Sequence, residues 1–463
     1  MKNLLSQVRN SQRFNLLALF FPFMYAQLVL LRAGNAAGRG YLSDARQELV
    51  YGFLQAAVIL GFLLHAGFRP RPASGRARDA VSLCALGLCA AGGLTLLFLS
   101  PASLFCLIVT GVTVFLLGWV GGAVYLRLSV LFRSAKHAGL QLGGAYAAAV
   151  ALQFVTQLRW NVLPAVAVCL LSAFACLAVC LTGSSLPETA APGPAKPPVP
   201  RSRLFSVTAI TAALLLFTVY YTGYIHHLQI ASGYGAYNVY SWPRLLMIPV
   251  VLLFGRLGEI RDGRLLPVGT LCVALAAFLN TVLAGRETYL LNMCLYYVAL
   301  AGVVTYYHVV FLRLAPQTKR PALWACMGRL TDSAVVVFSL TCRFSRLPQA
   351  AVLAVDVSLL ALVIVLMAYS GDLSPKPSAP PAPPPALPVR ADPFPILQAR
   401  FGITPAEMNV LRELVLTEDK QEVIAARLNI SVSTMRHHIT SIYRKTDVQS
   451  RAGLCKLAVS CET

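Results

Sequence analysis

Nine Ser, Thr, His, Arg and Lys side chains crowd positions 433 to 445: Ser433, Thr434, Arg436, His437, His438, Thr440, Ser441, Arg444 and Lys445. Arginine and lysine at helical spacing reach phosphates and guanine edges, while Ser, Thr and His add short hydrogen bonds to the same targets. This pattern predicts non-covalent recognition of DNA. A second set of polar residues sits in apolar surroundings: Arg244, His308, Arg329, Asp332 and Asp356. Ionisable groups in such runs are costly and face a cavity or a partner. Arg329 and Asp332 share one helix face at i, i+3. Two readings stand side by side. In one, Arg329 or Arg244 meets an anionic small molecule while nearby tyrosines (Tyr220, Tyr224, Tyr296, Tyr297, Tyr306, Tyr307) stack on it. In the other, Arg329 and Asp332 form an internal ion pair, and the tyrosines and His226, His227 and His308 are interfacial anchors. There is no Walker loop, phosphate-binding glycine fingerprint, metal-spaced Cys/His cluster or nucleophile–base pair, so no enzyme, cofactor or metal is expected. The twelve cysteines lie mostly inside apolar runs and read as small hydrophobes.

The elements that must carry these residues follow from composition. Of 463 residues, 57% are apolar and 12% charged, with a mean hydropathy of +0.66. Soluble domains carry about 25% charged residues, so a soluble enzyme and a disordered chain are both excluded. Apolar runs long enough to span a bilayer recur to about residue 370. They predict spans at 14–31, 49–68, 81–100, 103–125, 139–158 and 163–182, then at 204–225, 241–256, 265–284, 289–312, 322–342 and 348–370. The first half is 1–182 and the second is 204–370, joined by a Pro/Ser/Gly-rich linker at 183–203. A second linker, 371–396, holds ten of the 28 prolines. Residues 397–463 have dense charge and no span, and predict a small soluble domain. Two spans are weak: 241–256 contains Pro243, Arg244 and Pro249, and 322–342 contains Arg329 and Asp332.

In the tail, Thr404-Pro405-Ala406-Glu407 is a capping box with proline at the first helical position. Val410, Leu411 and Leu414 give this helix an apolar face. A second start at 419–422 leads to Ile424, Ala425 and Leu428, and Asn429 suits a left-handed turn. Ser431 caps a third helix in which Met435, His438 or Ile439, and Ile442 recur at helical spacing, and Ser450 caps a fourth. Two short helices joined by a tight turn, the second with a polar and basic face, are a helix-turn-helix. The segments ITPAEMNVLREL and VIAARLNISVSTMRHHITSIYRKTDVQSRAGL resemble the DNA-binding domain of LuxR-type regulators. Matching positions include Thr404, Glu407, Ile424, Ala425, Ser431, Thr434, His438, Lys445, Val448 and Arg451. The resemblance implies a bacterial DNA-binding regulator that works as a homodimer on a promoter operator. Ser441, Thr446 and Asp447 depart from the family pattern, which has Asn, Leu and Gly there.

The loops GFRPRPASGRAR (67–78) and GRLGEIRDGRLL (255–266) occupy equivalent places in the two halves. The second resembles the Gly/Arg/Asp loop of the major facilitator superfamily. The expected fold is therefore all-α: a polytopic bundle of twelve helices, six plus six and major-facilitator-like, followed by a four-helix LuxR-type helix-turn-helix domain. Lys and Arg number 19 on the loops of the N-terminal side against 7 on the others, a positive-inside bias that predicts both termini in the cytoplasm, from a bacterial inner membrane. The net charge of +21 is mostly this topology code, because residues 397–463 carry nine Lys and Arg against seven Asp and Glu. The expected function is a one-component sensor whose membrane domain detects a small molecule and controls the DNA-binding domain. The alternatives are a major-facilitator-type transporter with a regulatory DNA-binding tail and a plain membrane anchor. The expected partners are DNA, the lipid bilayer and an unidentified small ligand.

Overall fold

Apolar runs without a backbone break become helices because a helix satisfies its own N–H and C=O groups where no water is available. The computed structural model describes residues 12–39, 44–67, 75–99, 103–135, 137–159, 161–182, 199–231, 241–260, 265–282, 288–342, 347–370 and 393–460. These residues divide between two compact units, one reaching to about residue 375 and one following it.

The first unit holds α1 (Gln12–Arg39), α2 (Asp44–Gly67), α3 (Gly75–Phe98), α4 (Leu104–Ser134), α5 (Ala138–Gln153), α6 (Leu163–Thr182), α7 (Arg201–Ala231), α8 (Met247–Leu257), α9 (Leu265–Val282), α10 (Tyr289–Leu314), α11 (Pro321–Thr341) and α12 (Gln349–Ser370). Helix α5 runs on as a π-helical turn, Phe154–Arg159, and α8 is entered through a 3-10 turn, Trp242–Leu246. Nine of these helices are long and apolar enough to cross a membrane among the described residues, and α9 adds a shorter apolar segment, Leu265–Ala276. The weak 322–342 span qualifies, as Pro321–Thr341. The weak 241–256 span does not form one long helix. Pro243 supplies no N–H, so the chain turns in 3-10 form before an 11-residue helix begins.

Packing repeats with a shift of six helices. In the first half α1 packs on α4, α5 and α6, α2 on α4, and α3 on α4 and α6. In the second, α7 packs on α10, α11 and α12, α8 on α10, and α9 on α10 and α12. The contacts between halves obey the same relation: α2 meets α11 and α5 meets α8. Internal repeats of this kind are characteristic of transporter folds.

The α5–α8 crossing is built on glycine. A Cβ at Gly139 would run into the Gly255 carbonyl oxygen, one at Gly255 into that of Gly139, and one at Gly143 into that of Val251. Small residues at such crossings bring backbones together where no hydrophobic force operates between helices. Glu259, just past α8, accepts hydrogen bonds from the Leu140 N–H at 2.9 Å and from His137 Nδ1 at 3.1 Å, and pairs with Arg256 at 3.0 Å. Burial works to raise the Glu259 pKa, but these donors outweigh it and hold the carboxyl below its ordinary range. Gly143→Leu is expected to separate α5 from α8 and cost about 1–3 kcal/mol. Thermal unfolding of the full chain in detergent measures this, with Gly144→Leu, where a Cβ meets only Leu252 at 4.0 Å, as the mild control.

The second unit holds α13 (Pro393–Phe401), α14 (Pro405–Leu416), α15 (Gln421–Arg427), α16 (Val432–Thr446) and α17 (Arg451–Ser460). The four expected helices are present and α13 is additional. It starts at Pro393, inside the stretch expected as linker, because proline at the first position of a helix loses no hydrogen bond. Phe394 and Leu397 bury it in the same core as Val410, Leu411, Met435 and Leu454. The rest of that linker and most of 183–203 lie outside the described residues.

Candidate nucleic-acid interface and buried polar centre

Local capping sets the helix-turn-helix. Thr404 Oγ1 accepts from the Glu407 N–H while the Glu407 carboxylate accepts from the Thr404 N–H at 2.8 Å, closing a capping box. Asn429 adopts φ 55°, a left-handed conformation that asparagine tolerates, and the Ile430 N–H returns to the Ala425 carbonyl at 3.0 Å. Ser431 then caps α16 by accepting from the Thr434 N–H at 3.1 Å. Asp447 ends the helix at φ 55°, where the family pattern has glycine.

Helix α16 buries Met435, Ile439, Ile442 and Thr446. Its opposite face exposes Ser433, Thr434, Arg436, His437, Thr440 and Arg444, with His438 half-buried at the border. Spacings of three and four place Ser433, Arg436, His437, Thr440 and Arg444 on one stripe. Neither arginine makes an ion pair with a described residue, so both guanidinium groups face solvent ready for an anion.

Ser441 and Lys445 lie elsewhere. Ser441 Oγ donates to Glu407 Oε1 and Lys445 Nζ to Glu407 Oε2, each at 2.6 Å, and Lys445 also reaches the Gly402 carbonyl at 3.1 Å. Their role in this arrangement is to fix α16 against α14. Burial works to raise the Glu407 pKa, but Lys445, Ser441 and Thr404 together lower it to about 2. A carboxylate with a depressed folded pKa adds stability above its unfolded value, and that stability is lost as pH falls through the folded one. The domain is therefore expected to lose stability between about pH 4.5 and about pH 2. Glu407→Gln should flatten that limb of a stability–pH curve measured by urea unfolding.

Two arginines that sequence reasoning leaves without a role complete the scaffold. Arg427 at the end of α15 bridges Glu413 and Asp419, each at 2.5 Å. Arg451 donates to the Leu414 carbonyl at 2.8 Å, the Asp419 carbonyl at 2.7 Å and the Thr417 carbonyl. Between them they hold the 417–420 connection that leads into α15.

In the first unit, Arg329 pairs with Asp332 on α11, and Tyr307 of α10 binds both, donating to Asp332 and accepting from Arg329, each at 3.3 Å. The Gln27 amide oxygen of α1, in the orientation its neighbours require, accepts from the same guanidinium. His308 lies beside Tyr307, with ring centroids 4.4 Å apart, and its Nε2 is 2.7 Å from the Tyr125 hydroxyl of α4. Phe20 and Phe23 set their rings edge-on to Tyr125. Arg244 donates to Gln153 Oε1 at 2.8 Å, and Gln153 Nε2 donates to the Leu28 carbonyl at 2.8 Å. Arg329, Asp332 and His308 are thus brought together, and Arg244 joins a second network linking the 3-10 turn before α8 to α5 and α1. Asp356 is not brought to either. It is buried on α12 with Oδ1 lacking a hydrogen-bond partner among the described residues, and α12 packs on α7 and α9. The side chains of Tyr220, Tyr224, His226 and His227 lie outside the described residues. Sequence reasoning misses Gln27, Tyr125 and Gln153; the signal is neutral polar residues inside apolar runs.

Residues 402–458 match the family model described as bacterial regulatory proteins, luxR family. No curated protein sequence matches the chain. Among solved structures, the chain is similar to a bacterial homologue of the human drug peptide transporters PepT1 and PepT2, with a TM-score of 0.49 and 13% identity, over 76% of this chain and 96% of that one. It is also similar to the human organic anion transporter MFSD10 (TETRAN), with a TM-score of 0.48 and 14% identity, over 79% of this chain and 99% of that one.

Proposed function

We propose that this chain is a membrane-embedded, one-component transcription regulator. A luxR-family DNA-binding domain shares one polypeptide with a polytopic helical membrane unit. The observation that carries the reading is the exposed stripe on α16, with Arg436 and Arg444 unpaired among the described residues, in a domain whose family binds DNA. Ser433, Thr434, Arg436, His437, Thr440 and Arg444 are the DNA-contacting residues, with His438 at the edge. Two copies binding half-sites about 34–36 Å apart would read a two-fold operator. The excess of Lys and Arg on alternate loops supports a cytoplasmic location for both termini, and with it a bacterial inner membrane.

In this reading the six-helix halves are the sensor. A ligand that binds one arrangement of the halves better than another shifts their populations by its differential affinity. Arg329, Asp332 and His308, which bridge helices from both halves, are the groups through which a small molecule would act. In this reading the membrane unit acts by controlling whether two DNA-binding domains meet.

Immunoprecipitation of the tagged full-length protein from cross-linked cells tests the assignment. A defined set of promoter fragments is expected, lost in Arg436→Ala, with transcripts of the same operons changed when the gene is deleted. Equal DNA recovery by wild type and Arg436→Ala, together with solute uptake by vesicles holding protein truncated before residue 393, would overturn it in favour of a transporter.

A further inference from the structure

A cavity in the first unit lies at the end of the helices where α2 finishes and α11 begins. It measures about 210 Å³ and is walled by the last turn of α2, by α3 and α4, and by residues 319–323. That is well above the ~30 Å³ share of one water molecule. Gly122 makes room for its back wall: a Cβ there would overlap the His65 ring, which packs edge-on to Trp119 at 5.6 Å.

Several features of the wall ask for the same kind of occupant. Ser82 is 5% exposed, and its hydroxyl makes no hydrogen bond to any described residue. Helix α11 starts here with Pro321 at its first position and no side-chain cap. The Trp324 N–H is bonded to the Arg320 carbonyl, which leaves the first-turn N–H groups of Ala322 and Leu323 without an acceptor among the described residues. Lys319 and Arg320 stand exposed beside them, paired with no described acid. A hydroxyl, two backbone N–H groups at a helix N-terminus and two cations are the donors that a phosphate takes, and Trp119, Leu126 and Leu323 offer an apolar wall for what the phosphate is attached to.

We propose that this cavity is a binding site for a phosphate-bearing molecule, either a soluble phosphate ester or a lipid headgroup. The occupant would tie α2, α3 and α4 of the first half to α11 of the second. Arg329 lies eight residues along α11, about 12 Å away, so the site is placed to bias the same helix that carries the polar centre. Its location on the cytoplasmic side rests on the orientation proposed above; the binding does not.

The test uses full-length protein delipidated in dodecyl maltoside, a detergent without phosphate that leaves both faces open, with inorganic phosphate and pyrophosphate as probes against chloride at equal ionic strength. Phosphate is expected to raise Tm by several degrees and to perturb tryptophan fluorescence saturably. Ser82→Ala, and separately Lys319→Ala with Arg320→Ala, should each weaken the apparent affinity roughly tenfold, while Arg201→Ala leaves it unchanged. The same detergent supplemented with phosphatidylglycerol separates the two sources. If Tm is already raised and phosphate adds nothing, the headgroup is the occupant. If the phosphate response persists, a soluble ester is. A wild-type protein that responds neither to phosphate nor to phosphatidylglycerol beyond chloride in the phosphate-free detergent, or one whose response survives both sets of variants, would overturn the site and leave the regulator reading standing.

Discussion

Alanine in place of Arg329 is expected to destabilise the membrane unit by about 3–5 kcal/mol, the scale on which one partner of a buried ion pair is missed. The guanidinium serves Asp332, Tyr307 and Gln27 at once. Its removal strands a carboxylate and two polar groups between α1, α10 and α11. Lysine should rescue only in part, because a single ammonium does not reproduce the planar fork that meets three acceptors. A paired Arg329→Met and Asp332→Leu chain should recover much of the loss, since replacing both partners by apolar groups removes the stranded charge. Thermal unfolding in detergent distinguishes these outcomes. If Arg329→Ala melts with wild type while the double variant falls, the pair is not a structural tie and the groups are held in place by something else.

The second large effect concerns DNA. Arg436→Ala combined with Arg444→Ala should weaken operator binding by the 393–463 fragment at least about thirtyfold, each contact being worth about 1–3 kcal/mol where it reads a base. An arginine that meets a phosphate instead lowers affinity evenly across sequences and reduces the salt slope by about one. Ser441→Ala and Lys445→Ala provide the contrast. Both face Glu407, so they should lower the melting point of the fragment and leave the salt slope nearly unchanged. Electrophoretic mobility shifts at several salt concentrations measure both behaviours. A Lys445→Ala fragment that loses one unit of salt slope without losing stability would return Lys445 to the DNA face.

Features governed by near neighbours along the chain are legible in the amino-acid sequence alone. Thr404 and Glu407 announce their capping box across three residues, Asn429 its turn and Ser431 its cap. The pairing of Arg329 with Asp332 also follows from spacing on one helix. Contacts across long separations are not legible in this way. Lys445 reads as a DNA-facing cation until Glu407, 38 residues earlier, is seen beside it. Arg244 reads as a lone charge until Gln153, 91 residues away, is found to hold it. Helix α13 is hidden for another reason: prolines dominate the segment before it, and composition outweighs the two apolar anchors, Phe394 and Leu397. Asp356 belongs to a different group of helices from Arg329 and His308, and one-dimensional spacing carries no record of which helices become neighbours.

The bond between Tyr125 and His308 restricts what the centre can do with a proton. His308 Nδ1 lies 2.7 Å from the Val304 carbonyl, which can only accept, so this nitrogen carries the hydrogen. Nε2 must then be the acceptor, and the Tyr125 hydroxyl the donor, at 2.7 Å. A proton arriving at Nε2 would reverse this bond: the imidazolium would donate, the Tyr125 hydroxyl oxygen would accept, and the hydroxyl hydrogen would have to turn to another acceptor. In its neutral form the imidazole is thus fixed in the Nδ1–H tautomer as the acceptor at the end of a donor chain, and a proton gained there would turn the bridge between α4 and α10 around while leaving it in place.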